Sequence, residues 1–158
     1  MSSTNALVTL NVNGLQRTLE ADPASSLLGA LRNQLGLTGT RYGCGANQCG
    51  ACNVLIEGQA VAACDTPLWA AAGKKIVTIE GLGTPDRPHP LQRALIAEQA
   101  GQCGYCLSGI LISAAALLKR NPNPSEVEVR AALDRNLCRC GAHNRIVRAV
   151  QRAAKEAL

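Results

Sequence analysis

The sequence predicts an α+β fold in which a β-grasp-like first half precedes a four-helix bundle. Over residues 1–82, apolar residues alternate with polar ones between turn signals, and from residue 90 onward they recur at helical spacing. The segment GLGTPDRPHP, residues 81–90, is rich in glycine and proline, as linkers are. We therefore predict a first domain over residues 1–82, a linker over 83–89 and a second domain over 90–158.

A β-hairpin is predicted at the start of the chain. The stretch ALVTLNV alternates Val8, Leu10 and Val12 with polar residues, which is typical of a half-buried strand. Asn13 and Gly14 follow as a two-residue turn, and LQRTLEA supplies the returning strand.

One helix is predicted between this hairpin and a second one. Asp22 is a suitable N-cap, Pro23 fits the first turn, and SSLLGALRNQL has an apolar face before a stop at Gly36. The stretch NVLIEGQAV predicts the second hairpin, with its turn at Glu57 and Gly58. KKIVTIEG is predicted to form the last strand of this half.

Four helices are predicted in the second half. They are LQRALIAEQA, SGILISAAALLKR, SEVEVRAALDRN and NRIVRAVQRAAKEAL. Ser125 and Glu128 are placed to form a capping box for the third helix, and NPNP at residues 121–124 separates it from the second. We interpret His89 and His143 as caps or surface residues rather than ligands. Short connections between these helices indicate a bundle.

Composition narrows the class of protein. Eight cysteines without a secretory signal indicate a reducing compartment and metal binding rather than disulfides. No apolar stretch is long enough to span a membrane, so we expect a cytoplasmic protein, with export or membrane association of an assembled complex left open. The net charge of +5 comes with only 2% aromatic residues and no nucleic-acid-binding motif. It therefore indicates a solvated helix face or a surface for an acidic partner, not a nucleic-acid site.

The first group of cysteines has a distinctive spacing. Cys44, Cys49 and Cys52 lie within RYGCGANQCGAC, and eleven residues separate Cys52 from Cys64. Three interpretations compete: half of a disulfide framework, a zinc knot, or a loop around an iron–sulfur cluster. Three thiolates on one loop with a fourth at a distance is the plant-type ferredoxin arrangement. Zinc sites more often use two paired knuckles, so the spacing favours a [2Fe–2S] cluster.

Glycines Gly43, Gly45 and Gly50 lie beside these thiols. A [2Fe–2S] core bound by four thiolates is an anion, and burying it requires backbone N–H groups turned toward sulfur. Glycine can adopt φ > 0 and leaves room for close approach, so we expect all three to shape the cluster loop. An ordinary tight turn would use glycine in the same way, and only the cysteine spacing favours the cluster.

The second group of cysteines lies in the helical half. Cys103 and Cys106 are followed, after 31 residues, by Cys138 and Cys140. Each pair precedes a predicted helix, so two helix N-termini can present thiols to the same point. Only one residue separates Cys138 from Cys140, so the backbone must fold tightly there, and Gly141 can help. The spacing predicts a metal site without identifying the metal.

Together these stretches resemble a known family. YGCGANQCGAC with Cys64, then GQCGYCLSG and NLCRCG in this order, resemble the iron–sulfur small subunit of the molybdenum hydroxylases, the xanthine dehydrogenase and aldehyde oxidoreductase family. The resemblance covers essentially the whole chain and is greatest to the branch with isoquinoline 1-oxidoreductase and nicotinate dehydrogenase. It implies a plant-type ferredoxin-like domain holding one [2Fe–2S] cluster and a four-helix domain holding the other.

The resemblance also implies a function. The chain would be the electron-transfer subunit of an oxidoreductase complex and would not be catalytic alone. A large partner subunit would hold molybdopterin, as the cytosine dinucleotide, and would hydroxylate an N-heteroaromatic compound or an aldehyde. The helical-domain cluster would lie next to the pterin, which Gln102 and Cys140 would contact. Electrons would then pass through the ferredoxin-like cluster to an acceptor such as a cytochrome.

Departures from the family pattern remain, and so do two other function classes. Leu107 and Ser108 follow Cys106 where xanthine dehydrogenases usually have Thr-Pro, which weakens any transfer of xanthine specificity. A free-standing two-cluster electron carrier would stay soluble alone, whereas the small component of a complex should co-purify with a larger chain. A zinc-stabilised interaction module would be colourless, whereas [2Fe–2S] proteins are red-brown.

Overall fold

The computed structural model describes residues 5–156, and the first half of these forms a five-stranded mixed sheet. The strands are β1 (Ala6–Val12), β2 (Leu15–Ala21), β3 (Asn53–Ile56), β4 (Gln59–Ala62) and β5 (Lys75–Val77). Their order across the sheet is β2-β1-β5-β3-β4. Strands β1 and β5 are parallel, and the other neighbours are antiparallel.

Both predicted hairpin turns are present. Asn13 and Gly14 have φ of 53° and 80°, and Glu57 and Gly58 have φ of 50° and 81°. Positive φ at both central residues is what a type I′ turn needs, so local turn chemistry decides these connections. From Val8 onward, every second residue of β1 is buried, as the alternation predicted.

The helix after β2 begins later than predicted. It consists of α1 (Leu27–Gly29), which continues as a π-helix over Ala30–Gln34. Ser26 is the N-cap, so the prediction of Asp22 at this position is wrong. The Asp22 carboxylate instead accepts a hydrogen bond from the Ala24 amide at 2.9 Å, which closes a local turn in place of the first helical turn.

The last strand is also shorter than predicted. β5 ends at Val77, and after Thr78 the chain forms the short helix α3 (Ile79–Leu82). The Asn13 side-chain amide donates to Thr78 Oγ1 at 3.0 Å and accepts from the Thr78 backbone amide at 2.9 Å. This side chain satisfies the Thr78 backbone N–H, which a longer strand would have paired, so the chain leaves the sheet here. A further short helix, α2 (Leu68–Ala71), lies between β4 and β5.

The second half of the described chain is helical, which confirms the α+β class. It contains α4 (Pro90–Ala97), α5 (Leu107–Arg120), α6 (Glu126–Leu133) and α7 (His143–Glu156). Their buried faces share one apolar core. As predicted, His89 is a cap: its Nδ1 accepts from the Leu91 amide at 3.2 Å at the start of α4. Within residues 5–156, no helix combines the length and apolar character needed to cross a bilayer.

The predicted capping box of α6 is present and gives a stability test. Ser125 Oγ accepts from the Glu128 amide at 3.3 Å, and the Glu128 carboxylate accepts from the Ser125 amide at 2.7 Å. Ser125→Ala should lower the free energy of unfolding by about 1 kcal/mol in chemical denaturation. Ser125→Thr keeps the acceptor oxygen and should stay close to wild type. An alanine variant as stable as the threonine variant would contradict this role.

The same capping box makes a pH-dependent contribution. Hydrogen bonds from the Ser125 hydroxyl and amide lower the pKa of Glu128. A carboxyl group with a lowered pKa in the folded state stabilises that state above its ordinary pKa of about 4.3, and this stabilisation is lost as the pH falls through the lowered value. The difference between Ser125→Ala and wild type should therefore shrink in acid.

The two halves pack together through α5 and β3. Leu55 on β3 forms a small apolar cluster with Ile112 and Ala116 on α5. Beside it, Asn53 Nδ2 donates to Ser113 Oγ at 2.9 Å. The helical half is thereby held against the sheet by both apolar and polar contacts.

At Gly109 the backbone of α5 reaches the loop that precedes β3. A Cβ atom at this position would overlap the carbonyl oxygen of Gly50 and would also crowd Ala51 Cα. The neighbouring atoms belong to the backbone and cannot swing away as a flexible side chain would. Only glycine fits at this contact between the halves.

Candidate metal centres

The eight cysteines lie in two groups of free thiols on either side of this contact. The first group is Cys44, Cys49, Cys52 and Cys64; the second is Cys103, Cys106, Cys138 and Cys140. A main-chain hydrogen bond joins the two regions, since the amide of Leu137 donates to the carbonyl of Cys49 at 3.0 Å. Both candidate centres therefore lie close to the domain interface.

Backbone amides surround the first thiol of the first group. The N–H groups of Ala46, Gln48 and Cys49 donate to Cys44 Sγ at 3.4, 3.3 and 3.4 Å. The amide of Cys44 in turn donates to Cys49 Sγ at 3.3 Å. Several N–H groups aimed at sulfur form the nest-like environment that suits an anionic centre.

The glycines of this loop act in two different ways. Gly45 and Gly50 have φ of 68° and 71°, as predicted for the loop. Gly43 does not have a positive φ, so the expectation of a left-handed conformation is wrong for this residue. It provides space instead: a Cβ at Gly43 would lie 2.5 Å from Cys49 Sγ.

The thiols of the second group also come together, although they are far apart in sequence. Cys103 Sγ and Cys140 Sγ are 3.5 Å apart, and the thiols of Cys106 and Cys138 are within hydrogen-bonding reach of each other. Cys106 is the N-cap residue of α5, and Cys138 and Cys140 precede α7, as predicted. Gly141 has a φ of 69° directly after the last cysteine, where the tight fold was expected.

The thiols differ in burial, and their pKa values differ accordingly. Hydrogen bonds from Ala46 and two further backbone amides lower the pKa of the exposed Cys44 thiol to about 6. Burial raises the pKa of both Cys52 and Cys106 to about 12. Each group therefore contains a thiol that needs a bound cation to be held as a thiolate at neutral pH.

The pairing of the thiols fits a dinuclear cluster. The first group also contains two pairs. The thiols of Cys44 and Cys49 share a hydrogen bond, and the thiol of Cys52 is within hydrogen-bonding reach of that of Cys64. Two pairs in each group would supply two thiolates to each of two metal atoms in such a cluster. A single tetrahedral zinc ion needs four ligands converging on one point, whereas the thiols here lie in pairs. This paired arrangement suits a [2Fe–2S] cluster.

The two residues expected to contact a pterin also lie together. Gln102 Nε2 donates to the carbonyl oxygen of Cys140 at 3.4 Å. Gln102 also lines a polar surface depression with Gln99, Gly141 and Arg145, among others. A ligand placed there would meet amide and guanidinium groups beside the second thiol group.

Several residues at this interface were not found from the sequence. The Tyr105 hydroxyl donates to the Tyr42 carbonyl at 2.5 Å, and Arg135 donates to the Asn47 carbonyl at 2.5 Å. The buried Asn136 side chain donates to the carbonyl of Gly50 at 3.4 Å. Their closeness to cysteines was visible in the sequence, but their partners in the other domain were not.

Comparison with known proteins gives matches over both halves. Residues 10–76 match the family described as "2Fe-2S iron-sulfur cluster binding domain", and residues 78–151 match the "[2Fe-2S] binding domain". A nicotinate dehydrogenase subunit of Pseudomonas putida is 52% identical over 148 residues, which are 94% of each chain. The alpha subunit of isoquinoline 1-oxidoreductase from Brevundimonas diminuta is 52% identical over 141 residues, covering 89% of this chain and 92% of that one.

Longer proteins and solved structures match as well. Aldehyde oxidoreductase of Megalodesulfovibrio gigas is 44% identical over 148 residues, which are 92% of this chain and 16% of that protein. The crystal structure of quinoline 2-oxidoreductase from Pseudomonas putida 86 contains a chain with a TM-score of 0.92 and 37% identity. That match covers 98% of this chain and 97% of the other.

Proposed function

This chain belongs to the family of iron–sulfur small subunits of the molybdenum hydroxylases, and from that premise we propose how its residues carry electrons. The chain is the electron-transfer subunit of an oxidoreductase complex. The observation that supports our assignment of residues is the pairing of eight free thiols in two groups at one domain interface. We assign one [2Fe–2S] cluster to each group.

In the first centre we assign Cys44 and Cys49 to one iron, and Cys52 and Cys64 to the other. In the second we assign Cys103 and Cys140 to one iron, and Cys106 and Cys138 to the other. A bound [2Fe–2S] cluster supplies the capacity to take up and release one electron at a time. The amides on Cys44 Sγ offset the negative charge of the first centre, and the burial of Cys52 keeps water away from its inner side.

We further propose that the surface around Gln102 and Cys140 faces the molybdopterin of a large partner subunit. This is supported by the hydrogen bond between these two residues and by the polar depression beside them. Arg145 lies in the same depression and suits a negatively charged ligand such as the cytosine dinucleotide form of the pterin. The second centre, which contains Cys140, would then be the one nearer to the partner.

The substrate of the complex is proposed from its relatives. The two relatives that are 52% identical are named for nicotinate and isoquinoline, so we propose an N-heteroaromatic substrate, with an aldehyde as the second choice. For the acceptor we propose a cytochrome or another redox protein that docks near the first centre. Eight free thiols favour a reducing compartment, and we propose the cytoplasm.

We propose the domain organisation that the sequence predicted. One domain covers residues 1–82, a linker covers 83–89, and the second domain covers 90–158. Two separate apolar cores support this division. We interpret the second domain as a four-helix bundle. Helix α4 contacts α5 and α7, α6 contacts the same two helices, and all four surround one core.

Metal analysis of the protein purified under anaerobic conditions tests the assignment. We expect about four irons per chain, a red-brown colour and two distinct signals in electron paramagnetic resonance (EPR) after reduction, together with a larger co-purifying subunit. Zinc in place of iron would contradict the assignment of both centres. Full iron content in a chain that purifies alone would instead favour a free-standing carrier.

A further inference from the structure

Tyr105 makes a hydrogen bond between the two candidate centres. It lies between Cys103 and Cys106 in the second ligand loop, yet its hydroxyl donates to the carbonyl of Tyr42, two residues before Cys44, at 2.5 Å. The guanidinium of Arg41 lies 5.6 Å from the centre of the Tyr105 ring, within the range of a cation–π contact. A residue of one cluster loop is thus attached to the other cluster loop.

The bond fixes the orientation of one particular peptide group. The described chain contains no cis peptide, and in a trans peptide the C=O and N–H groups point in opposite directions. The peptide between Tyr42 and Gly43 therefore presents its carbonyl to Tyr105 and its N–H to the opposite side. Gly43 itself lies against a sulfur, since a Cβ there would be 2.5 Å from Cys49 Sγ. The next peptide along the chain, between Gly43 and Cys44, donates its N–H to Cys49 Sγ at 3.3 Å. The peptide that Tyr105 holds therefore directly precedes one that faces a sulfur of the first centre.

We propose that Tyr105 is a positioning residue that tunes the reduction potential of the first centre, although it belongs to the ligand loop of the second. This inference rests on the proposed function, because it takes Cys44 and Cys49 as cluster ligands. Reduction adds a negative charge, and the Cys44 N–H directed at Cys49 Sγ stabilises the reduced form. Holding the preceding peptide in place keeps this N–H directed at sulfur and raises the midpoint potential of the first centre.

Tyr105→Phe removes the hydroxyl and keeps the aromatic ring under Arg41, so the charge near the loop is unchanged. Tyr105 is 48% exposed, and an exposed hydrogen bond contributes modestly to stability, so the variant should fold and bind iron as wild type does. Redox titration of the complex, followed by EPR, should give a more negative midpoint potential for the first centre. The potential of the second centre should not change.

Ser108→Ala is the matched control. It also removes a hydroxyl near Cys106, but Ser108 Oγ is buried and makes no hydrogen bond within the described chain. The control should leave the potential of the first centre at its wild-type value. A shift there in both variants would indicate a general disturbance of the loop and would overturn the proposal.

Three other results would also overturn the proposal. An unchanged first centre in Tyr105→Phe, or a shift confined to the second centre, would overturn the proposal. Loss of iron from this variant would overturn it too, because the hydroxyl would then serve assembly rather than tuning. Wild-type protein with two EPR signals and four irons would still support the proposed function in each case, so the two failures can be told apart.

Discussion

Cys106→Ser should remove the second [2Fe–2S] cluster and leave the first in place. Burial raises the pKa of the Cys106 thiol to about 12, and a serine hydroxyl is a still weaker acid that binds iron poorly in its neutral form. Iron should fall from about four to about two atoms per chain, with one of the two EPR signals lost. Because the second centre is the proposed entry point for electrons, turnover of the complex should fall by roughly 100-fold or more, about 3 kcal/mol or more in barrier height.

Cys52→Ser is the reciprocal variant. Cys52 is buried and Cys106 is partly buried, and burial raises the pKa of both thiols to about 12. This variant should lose the other EPR signal and keep the one that Cys106→Ser loses. If either variant lost both clusters, or if both lost the same signal, the division of the eight thiols into two independent centres would be wrong.

Gly109→Ala should clearly lower the stability of the protein. The added methyl group would overlap the Gly50 carbonyl oxygen, so α5 must move away from the loop before β3. Overpacking of this kind typically costs about 1–3 kcal/mol, and more where backbone atoms cannot shift. We expect a clearly lower thermal midpoint and weaker iron retention in the first centre, measured by circular dichroism and by iron release to a chelator.

Gly29→Ala provides the control for this substitution. Gly29 also lies in a helical segment, but a Cβ there would meet only Ser26 Oγ, at 3.4 Å, which is ordinary contact. Alanine has the higher helix propensity, so this variant should be as stable as wild type or slightly more so. If both variants lost the same amount of stability, the cause would be the helix backbone conformation. That result would contradict the role of the contact between the domains.

Elements governed by neighbouring residues could be predicted from the sequence. The hairpin at Asn13 and Gly14 follows from turn chemistry within the turn itself, and the capping box of Ser125 and Glu128 is equally local. The start of α1 could not be predicted in this way. Ser26 forms an isolated β-bridge with Pro67, a residue far along the chain, and this contact is absent from any local pattern.

The candidate site likewise combines features that are local in sequence with contacts between distant residues. Cysteine spacing was enough to predict two centres, because ligand spacing along a loop is a local property. The approach of Cys103 and Cys140 depends on how the helices of the second half pack around their common core. The bond from Tyr105 to Tyr42 joins residues 63 positions apart. Single-sequence patterns contain no information on such pairs, so they become visible only in the folded chain.

The contact between Gly109 and the Gly50 backbone also joins the two ligand regions mechanically. Gly50 lies between Cys49 and Cys52, and Gly109 lies three residues after Cys106. Because main chain meets main chain here, a shift of one ligand region is transmitted directly to the other. Side chains on the outer surface do not take part in this contact.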